Sequence, residues 1–160
     1  MTRIQQMSSS AKSNSAKLRA PKLSALVVVH NEEENLPDCL ASLKFADELV
    51  VVLDKCTDNS EKIAKEFGAK TVSGSWDMEG ERRNTGIEIC SGEWIFELDA
   101  DERASPELGE EIHTTINDST HGYHLVPVNN HIGERLVKYG WGSSYGKPRY
   151  PGLFQKGAKI

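Results

Sequence analysis

Two aspartates, Asp99 and Asp101, follow an apolar run of the sequence and are separated by one residue. The run, residues 94–98, has the length and composition of a buried strand, so both carboxylates are expected at its carboxyl end. In extended geometry, residues two apart project to the same side. Two hard oxygen ligands held together suit Mg²⁺ or Mn²⁺, especially where phosphate oxygens complete the coordination. The pattern predicts a divalent cation site, although Asp101 with Glu102 could instead cap the following helix, leaving Asp99 as a turn residue.

A third carboxylate, Asp54, ends another apolar run at residues 49–53. A carboxylate at a strand end can accept a hydrogen bond from a base N–H or a ribose hydroxyl, and it can equally start a turn. Arg82 and Arg83 open a later helical segment, where guanidinium groups suit phosphate or base recognition or simply form a solvated basic face. The glycine-rich dinucleotide turn and the P-loop are both missing from the sequence. Some other nucleotide or phosphate chemistry is therefore indicated.

The segments around these residues alternate between strand-like and helix-like patterns. Buried or alternating apolar runs predict strands at 26–29, 49–53, 70–72, 94–98 and 123–128. Apolar residues at helical spacing predict helices over 34–45, around 63–67, over 79–90 and around 108–116. The glycine- and proline-rich text after Asn129 indicates loops and hairpins. The alternation predicts an α/β fold, a doubly wound and mostly parallel sheet flanked by helices, with its ligand site at the carboxyl ends of the strands.

Composition limits the class of protein. The chain has 160 residues, 38% hydrophobic and 27% charged, which is typical of a single globular domain. Its net charge of −5 does not favour a nucleic-acid groove. Residues 1–21 carry four basic residues, several serines and no acid, which predicts a disordered tail or, alternatively, an organelle transit peptide. Residues 22–160 are then the domain, and none of their apolar runs reaches the roughly 20 residues of a membrane-spanning helix.

Three cysteines, Cys39, Cys56 and Cys90, show no short paired spacing. Neither a disulfide framework nor a zinc knuckle is indicated, and a reducing compartment is favoured. Each is predicted to be a small buried side chain and not a nucleophile.

Four motifs taken together resemble the glycosyltransferases of family 2, which have the GT-A fold. They are residues 27–33 with Leu36, Cys39 and Leu40; residues 49–54 with 57–60; Arg83, Asn84 and Gly86; and residues 92–102. Their order and spacing agree with the family across about residues 23–115. Residues 133–138, 140–141 and 153–154 more loosely resemble the branch that builds the core of lipopolysaccharide in the cell envelope.

The resemblance implies an inverting, metal-dependent transfer from a nucleotide-diphosphate sugar, most often a UDP-sugar, to a glycan or glycolipid acceptor. It implies a nucleotide pocket lined by His30, Asn31 and Glu32, with Asp54 in contact with the base. It implies that Arg83 assists at the base or phosphate. It also implies that Asp99 contacts the ribose or the metal and that Asp101 holds Mg²⁺ or Mn²⁺. A cytoplasmic protein is then expected, and its basic tail suggests peripheral contact with the inner face of the membrane.

The sequence departs from the family pattern in three respects. The resemblance places the general base after the metal motif, but no Asp or Glu follows Glu134. We therefore expect an N-terminal, donor-binding portion that lacks this base. Lys55 with Cys56, and Arg82, stand where smaller residues are usual, which would alter the base pocket. A catalytically silent nucleotide-sugar-binding module and an interaction domain without nucleotide remain alternatives; the charge gathered at one sheet edge speaks against the latter.

Overall fold

The computed structural model describes residues 22–129, 131–132, 135–136 and 149–158. The strands are β1 (Leu23–Val29), β2 (Glu48–Asp54), β3 (Lys70–Gly74), β4 (Trp94–Asp99), β5 (Tyr123–Pro127), β6 (His131–Ile132), β7 (Arg135–Leu136) and β8 (Arg149–Gln155). The helices are α1 (Leu36–Ser42), α2 (Ser60–Glu66), α3 (Glu79–Ile89) and α4 (Pro106–Asp118). The predicted tail at 1–21, and residues 133–134 and 137–148 of the lipopolysaccharide-branch resemblance, lie outside the described residues.

The main sheet has six strands in the order β3-β2-β1-β4-β8-β5. Strands β3, β2, β1 and β4 pair in parallel, with Val28 of β1 opposite both Val52 of β2 and Asp99 of β4. The β-branched and apolar runs of β1, β2 and β4 are largely buried because helices cover the sheet, whereas no residue of the edge strand β3 is fully buried. The register brings the carboxyl ends of β1, β2 and β4 to one edge, as the sequence predicted.

The predicted, mostly parallel sheet is confirmed, and its one antiparallel strand among the described residues is β8. This strand pairs antiparallel with both β4 and β5, so the sheet is mixed, although the other five strands share one direction. The sequence of β8 contains Pro151 and Gly152, which disfavour a strand on propensity alone. Pairing overrides the propensity because Leu153 and Phe154 are buried between the neighbouring strands. The short pair β6–β7 forms the hairpin expected in the glycine-rich region.

Helices cover both faces of the sheet. The core on one face combines strand residues with side chains of α1, α2 and α4, such as Leu40, Ala64 and Ile112. The core on the other face lies under α3, which contributes Ile87 and Ile89. Helix α1 is shorter than the predicted 34–45, because the N–H of Leu43 already turns back to the carbonyl of Leu40, a tight closing turn. None of the helices in the described ranges is long and apolar enough to cross a membrane.

The predicted burial of the cysteines is confirmed for Cys39 and Cys90 and is only partial for Cys56. Cys39 and Cys90 are buried, Cys56 is half-buried, and all three are free thiols. Burial raises the pKa of Cys39 to about 12 and that of Cys90 to about 11, which keeps both thiols protonated and unreactive near neutral pH.

A buried carboxylate, Glu48, lies at the amino-terminal edge of the sheet, opposite the predicted ligand site. It accepts hydrogen bonds from the backbone N–H and the hydroxyl of Ser91 and contacts Ser24 and Lys70. The Ser24 hydroxyl in turn accepts from the N–H of Gly92 at 2.9 Å. Although burial opposes ionisation, these bonds lower the pKa of Glu48 to about 2. The network joins the starts of β1 and β2 to the turn before β4.

Two glycines of α3 are expected to respond oppositely to alanine. A Cβ on Gly86 would lie 2.4 Å from Leu26 Cδ1 and 2.8 Å from Val52 Cγ2, both of them buried side chains, whereas a Cβ on Gly80 would meet nothing. We expect Gly86→Ala to reduce the free energy of unfolding by about 1–3 kcal/mol through overpacking. Gly80→Ala should leave it unchanged or raise it by up to about 1 kcal/mol through helix propensity. Urea unfolding measures both; equal effects would contradict the close approach of α3 to the sheet.

Candidate functional site

The loop after β1 is tied to the end of β2 by His30. Its ring Nδ1 lies 2.7 Å from the backbone carbonyl oxygen of Asp54. Since a carbonyl only accepts, Nδ1 carries the hydrogen, and Nε2 of the neutral ring is left as an acceptor. His30 is exposed and directly follows the last residue of β1, so its ring lies at the carboxyl edge of the sheet.

Asn31 and Glu32 bind the loop that follows β2. Asn31 adopts a left-handed backbone conformation with φ 55°, which asparagine tolerates better than most residues. Its side-chain Oδ1 accepts from the N–H of Thr57 at 2.7 Å. The N–H of Glu32 donates to the Ser60 hydroxyl at 3.1 Å, while its carboxylate accepts from Asn35 at 3.0 Å. These bonds fix the shape of the edge, and the nucleotide contacts expected of both residues stay predictions.

Asp54 is buried, with 5% of its surface exposed, and both carboxylate oxygens have partners. Oδ1 accepts from the backbone N–H of Trp76 at 3.1 Å, and Oδ2 accepts from Arg82 Nη1 at 2.9 Å. Burial favours the neutral acid, but these bonds outweigh it and lower the pKa of Asp54. The Nε of Arg82 is buried and has no hydrogen-bond partner among the described residues. Arg82 is therefore bound to the Asp54 carboxylate, which was predicted to contact the base of the nucleotide.

Arg83 meets three carboxylates. Its Nε and Nη2 lie 2.9 and 2.8 Å from Glu79 Oε1, its Nη1 contacts Glu97, and its Nη2 lies 3.3 Å from Asp99 Oδ1. Burial alone would lower the pKa of the guanidinium, but the carboxylates raise it, so Arg83 is a permanent cation. The structure thus brings Arg83 and Asp99 together, as two residues predicted for one site should be.

The extended geometry predicted for Asp99 and Asp101 is wrong. Strand β4 ends at Asp99, and Ala100 and Asp101 form a turn closed by the N–H of Glu102 donating to the Asp99 carbonyl at 3.0 Å. The alternative role of Asp101 and Glu102 as a helix cap is also wrong. Ser105 caps α4 through its hydroxyl, which accepts from the N–H of Leu108.

The donor set at this turn suits a divalent cation. Asp99 and Asp101 are exposed, and no hydrogen bond or ion pair joins the Asp101 side chain to any residue of the described part of the chain. Burial, together with the neighbouring charges of Asp99 and Asp101, raises the pKa of Glu102, a sign of accumulated negative charge. No cluster of three or more His, Cys, Asp or Glu side chains placed to hold a metal occurs within the described ranges. The protein would supply two carboxylates, and a bound ligand would supply further oxygens.

Sequence reasoning missed three residues of this edge: Trp76, Glu97 and Tyr150. Glu97 is 2% exposed in the middle of β4, and the hydroxyl of Tyr150 donates to its backbone carbonyl at 2.7 Å. A signal for Glu97 was available, because an acid inside an apolar strand requires a buried cation, and Arg83 was at hand. The contacts of Trp76 and Tyr150 come from loop and strand placement, for which the sequence carries no comparable signal.

A mixed sheet in this strand order, with carboxylates at its carboxyl edge, defines an α/β protein whose candidate ligand site lies at the carboxyl ends of its parallel strands. A family model described as "Glycosyl transferase family 2" matches residues 24–156. The chain belongs to this family, and the predicted GT-A fold is confirmed.

Curated relatives extend well beyond the matched region. An uncharacterized glycosyltransferase of Rickettsia bellii is 36% identical over 98 residues, covering 61% of this chain and 33% of the relative. The lipopolysaccharide core biosynthesis glycosyltransferase LpsC of Rhizobium meliloti is 30% identical over 93 residues, covering 55% and 34%. The chain thus matches about a third of the length of these relatives.

Solved structures share the fold. Glucosyl-3-phosphoglycerate synthase of Mycobacterium tuberculosis aligns with a TM-score of 0.56 at 22% identity, covering 67% of this chain and 44% of that one. A complex of that synthase with Mn²⁺, UDP and glucosyl-3-phosphoglycerate aligns with a TM-score of 0.55 at 21% identity, over 67% and 43% of the two chains.

Proposed function

We propose that this chain binds a nucleotide-diphosphate sugar, in the first instance a UDP-sugar, for inverting transfer to a glycan or glycolipid acceptor. The observation that carries the proposal is the meeting of a fixed guanidinium, Arg83, with the strand-end carboxylate of Asp99, two residues before the carboxylate of Asp101, which has no partner among the described residues. A domain without a ligand has no need to concentrate charge at one edge of its sheet. Membership of glycosyl transferase family 2 supports the same conclusion.

The residues at the edge have distinct proposed roles. His30, Asn31 and Glu32 line the nucleotide pocket, and Asp54 recognises the base. Arg83 contacts the base or the diphosphate, for which its permanent charge is suited. His30 offers an Nε2 acceptor for a base or ribose donor, given the hydrogen on its Nδ1.

A divalent cation, Mg²⁺ or Mn²⁺, is proposed to be held by Asp99 and Asp101. The carboxylates of the edge outnumber its guanidinium groups, and Arg82 and Arg83 are both already paired with acids. An anionic diphosphate would be repelled by this edge in the absence of further positive charge. When bound, the cation would stabilise the negative charge that develops on the departing nucleoside diphosphate. The complexes of the M. tuberculosis synthase with UDP and Mn²⁺ or Mg²⁺ support the choice of ions.

The acceptor hydroxyl needs a general base, and its identity is not assigned to any residue of this chain. Residues 135–160 contain no Asp or Glu. The alternative function is a module that binds nucleotide sugars without transferring them. Incubating the chain with UDP-glucose and measuring released UDP separates the two, since hydrolysis or transfer requires an activated oxygen nucleophile.

A cytoplasmic location is proposed from the donor, because nucleotide sugars are the substrates of this site. The four basic residues within 1–21 would add weak attraction to an anionic inner membrane surface. The similarity to LpsC supports a role in building cell-envelope polysaccharide such as the lipopolysaccharide core.

The proposed function is tested by calorimetric titration of UDP into the full chain, with Mn²⁺ and with EDTA. We expect binding with Mn²⁺ and at least about tenfold weaker binding with EDTA, equivalent to about 1.4 kcal/mol. Failure of UDP to bind a chain that melts cooperatively by circular dichroism would contradict the proposal. Equal UDP binding with Mn²⁺ and with EDTA would support the proposed nucleotide site and contradict the proposed role of the cation.

A further inference from the structure

Glu97 carries a carboxylate into the centre of the sheet. Strand β4 lies between β1 and β8, and Glu97 is paired in register with Leu26 of β1. Ile95, which shares its face of β4, packs in the apolar core under α3. The residue is 2% exposed. A charge at such a position is costly unless a partner and hydrogen bonds compensate for the lost water.

The charged partner of Glu97 comes from α3. Arg83 directs Nη1 to Glu97 and Nε to Glu79, and only Nη2 reaches towards Asp99. The Asp99 contact, at 3.3 Å, is the longest of the three, and the Asp99 side chain is 58% exposed. Asp99 is therefore the weakest of the competitors for this guanidinium, and Glu97 is the most buried.

Helix attachment alone does not account for the pair. A buried ion pair is often no more stabilising than apolar residues of similar volume. Apolar side chains do hold α3 to the sheet elsewhere, through Ile87, Ile89 and the close approach of Gly86. Glu97 is also fixed through its backbone, because Tyr150 donates to its carbonyl. Because apolar contacts already hold α3 to the sheet, the main effect of the Glu97–Arg83 pair is to fix the position of the Arg83 guanidinium.

We propose that Glu97 is a positioning residue that limits Arg83 to one long contact, with Oδ1 of Asp99, and so leaves the rest of that carboxylate available to a divalent cation. The inference rests on the proposed function. Without the charge of Glu97, the same guanidinium would turn to the nearest remaining carboxylates, and Asp99 is one of them. A cation would then have to displace Arg83 before it could bind. Glu97 would in this way set the metal affinity of a site that it does not touch.

The test is the Mn²⁺ concentration that gives half-maximal UDP binding in Glu97→Gln. Gln keeps the shape of the side chain and removes its charge. We expect the half-maximal concentration to rise about tenfold, the lower end of the range for residues that orient metal ligands. UDP affinity at saturating Mn²⁺ should stay within about twofold, because the bound cation displaces Arg83 from Asp99 and every proposed nucleotide contact is then retained.

Glu48→Gln is the matched control, since Glu48 is also a buried, ion-paired glutamate but lies at the opposite edge of the sheet. It should lower the melting temperature and leave the Mn²⁺ requirement unchanged. In an Arg83→Gln background, Glu97→Gln should have no further effect on the Mn²⁺ requirement, because it acts through Arg83. Should Glu97→Gln fail to fold, Glu97→Asp keeps the charge with a shorter reach and should give a smaller rise.

The outcomes separate the inference from the function on which it rests. If the unaltered chain does not bind UDP with Mn²⁺, the proposed function fails. If it binds UDP and a folded Glu97 variant keeps the original Mn²⁺ requirement, or if the effect persists undiminished in the Arg83→Gln background, the positioning role is overturned.

Discussion

Asp101→Asn is expected to abolish metal-dependent UDP binding and to leave folding intact. The Asp101 side chain is exposed and makes no hydrogen bond or ion pair within the described part of the chain, so Asn removes no stabilising contact. Residues that merely orient metal ligands are worth about 10- to 100-fold in metal affinity, so loss of a ligand itself should cost more than about 100-fold in Mn²⁺ affinity and bring UDP affinity to the level measured with EDTA. Calorimetry with Mn²⁺ measures the binding, and a thermal melt measures the folding.

Asp118→Asn provides the matched control for this variant. Asp118 is the last residue of α4, also exposed, and lies towards the amino ends of the strands, away from the candidate site. The chemical change is identical, so its UDP affinity should equal that of the unaltered chain. An Asp101→Asn variant that binds UDP and Mn²⁺ normally would exclude Asp101 from the cation site.

Arg82→Ala is expected to weaken the fold and to tighten nucleotide binding. Arg82 Nη1 holds Oδ2 of the buried Asp54, so its loss leaves that carboxylate with the Trp76 N–H and should reduce the free energy of unfolding by about 2–3 kcal/mol. The freed oxygen can then accept the N–H of a base without displacing a guanidinium. We expect UDP affinity to rise several-fold, the effect of a charge-assisted hydrogen bond worth about 1 kcal/mol.

The neighbouring arginine separates this effect from a general loss of charge. Arg83→Ala removes the guanidinium proposed to contact the base or diphosphate, and it should weaken UDP binding. Any gain in Arg82→Ala should vanish when Asp54→Asn is added, since the gain requires the Asp54 carboxylate. Weaker UDP binding by a folded Arg82→Ala variant would show that Arg82 assists the nucleotide instead of competing with it.

The parallel strands of the sheet were predictable because each one is encoded by a short apolar segment of the sequence. Residues 26–29 and 49–53 are continuous apolar runs, residues 94–98 are apolar except for Glu97, and each segment falls within an observed strand. Strand β8 was not predicted, since Pro151 and Gly152 obscure it and its burial depends on β4 and β5. Local patterns specify elements; pairing between distant segments decides their direction.

For the candidate site, the sequence predicted which side chains lie near one another better than it predicted which of them form ion pairs. The ends of β1, β2 and β4 do meet at one edge, so Asp54 and Asp99 lie where parallel register puts them. The sequence did not reveal that Arg82 pairs with Asp54 while Arg83 pairs with Glu97. Consecutive helical residues point in different directions. Which acid each arginine reaches therefore depends on the position and rotation of α3 against the sheet. The turn at Asp101 escaped prediction because residues 99–101 were treated as extended.

The antiparallel insertion of β8 has a consequence for the order in which the molecule assembles. Strands β1, β2 and β3 can pair as soon as each emerges, since short helical connections join them. The outer edge of β4 waits for β8, the last strand along the described residues. Until β8 pairs, an edge bearing Trp94, Ile95 and Phe96 stays open to other nascent chains. The strand that carries Asp99 to the candidate site thus gains its second neighbour later than β1 and β2 do, and we expect this long-range pairing to be a slow step of folding.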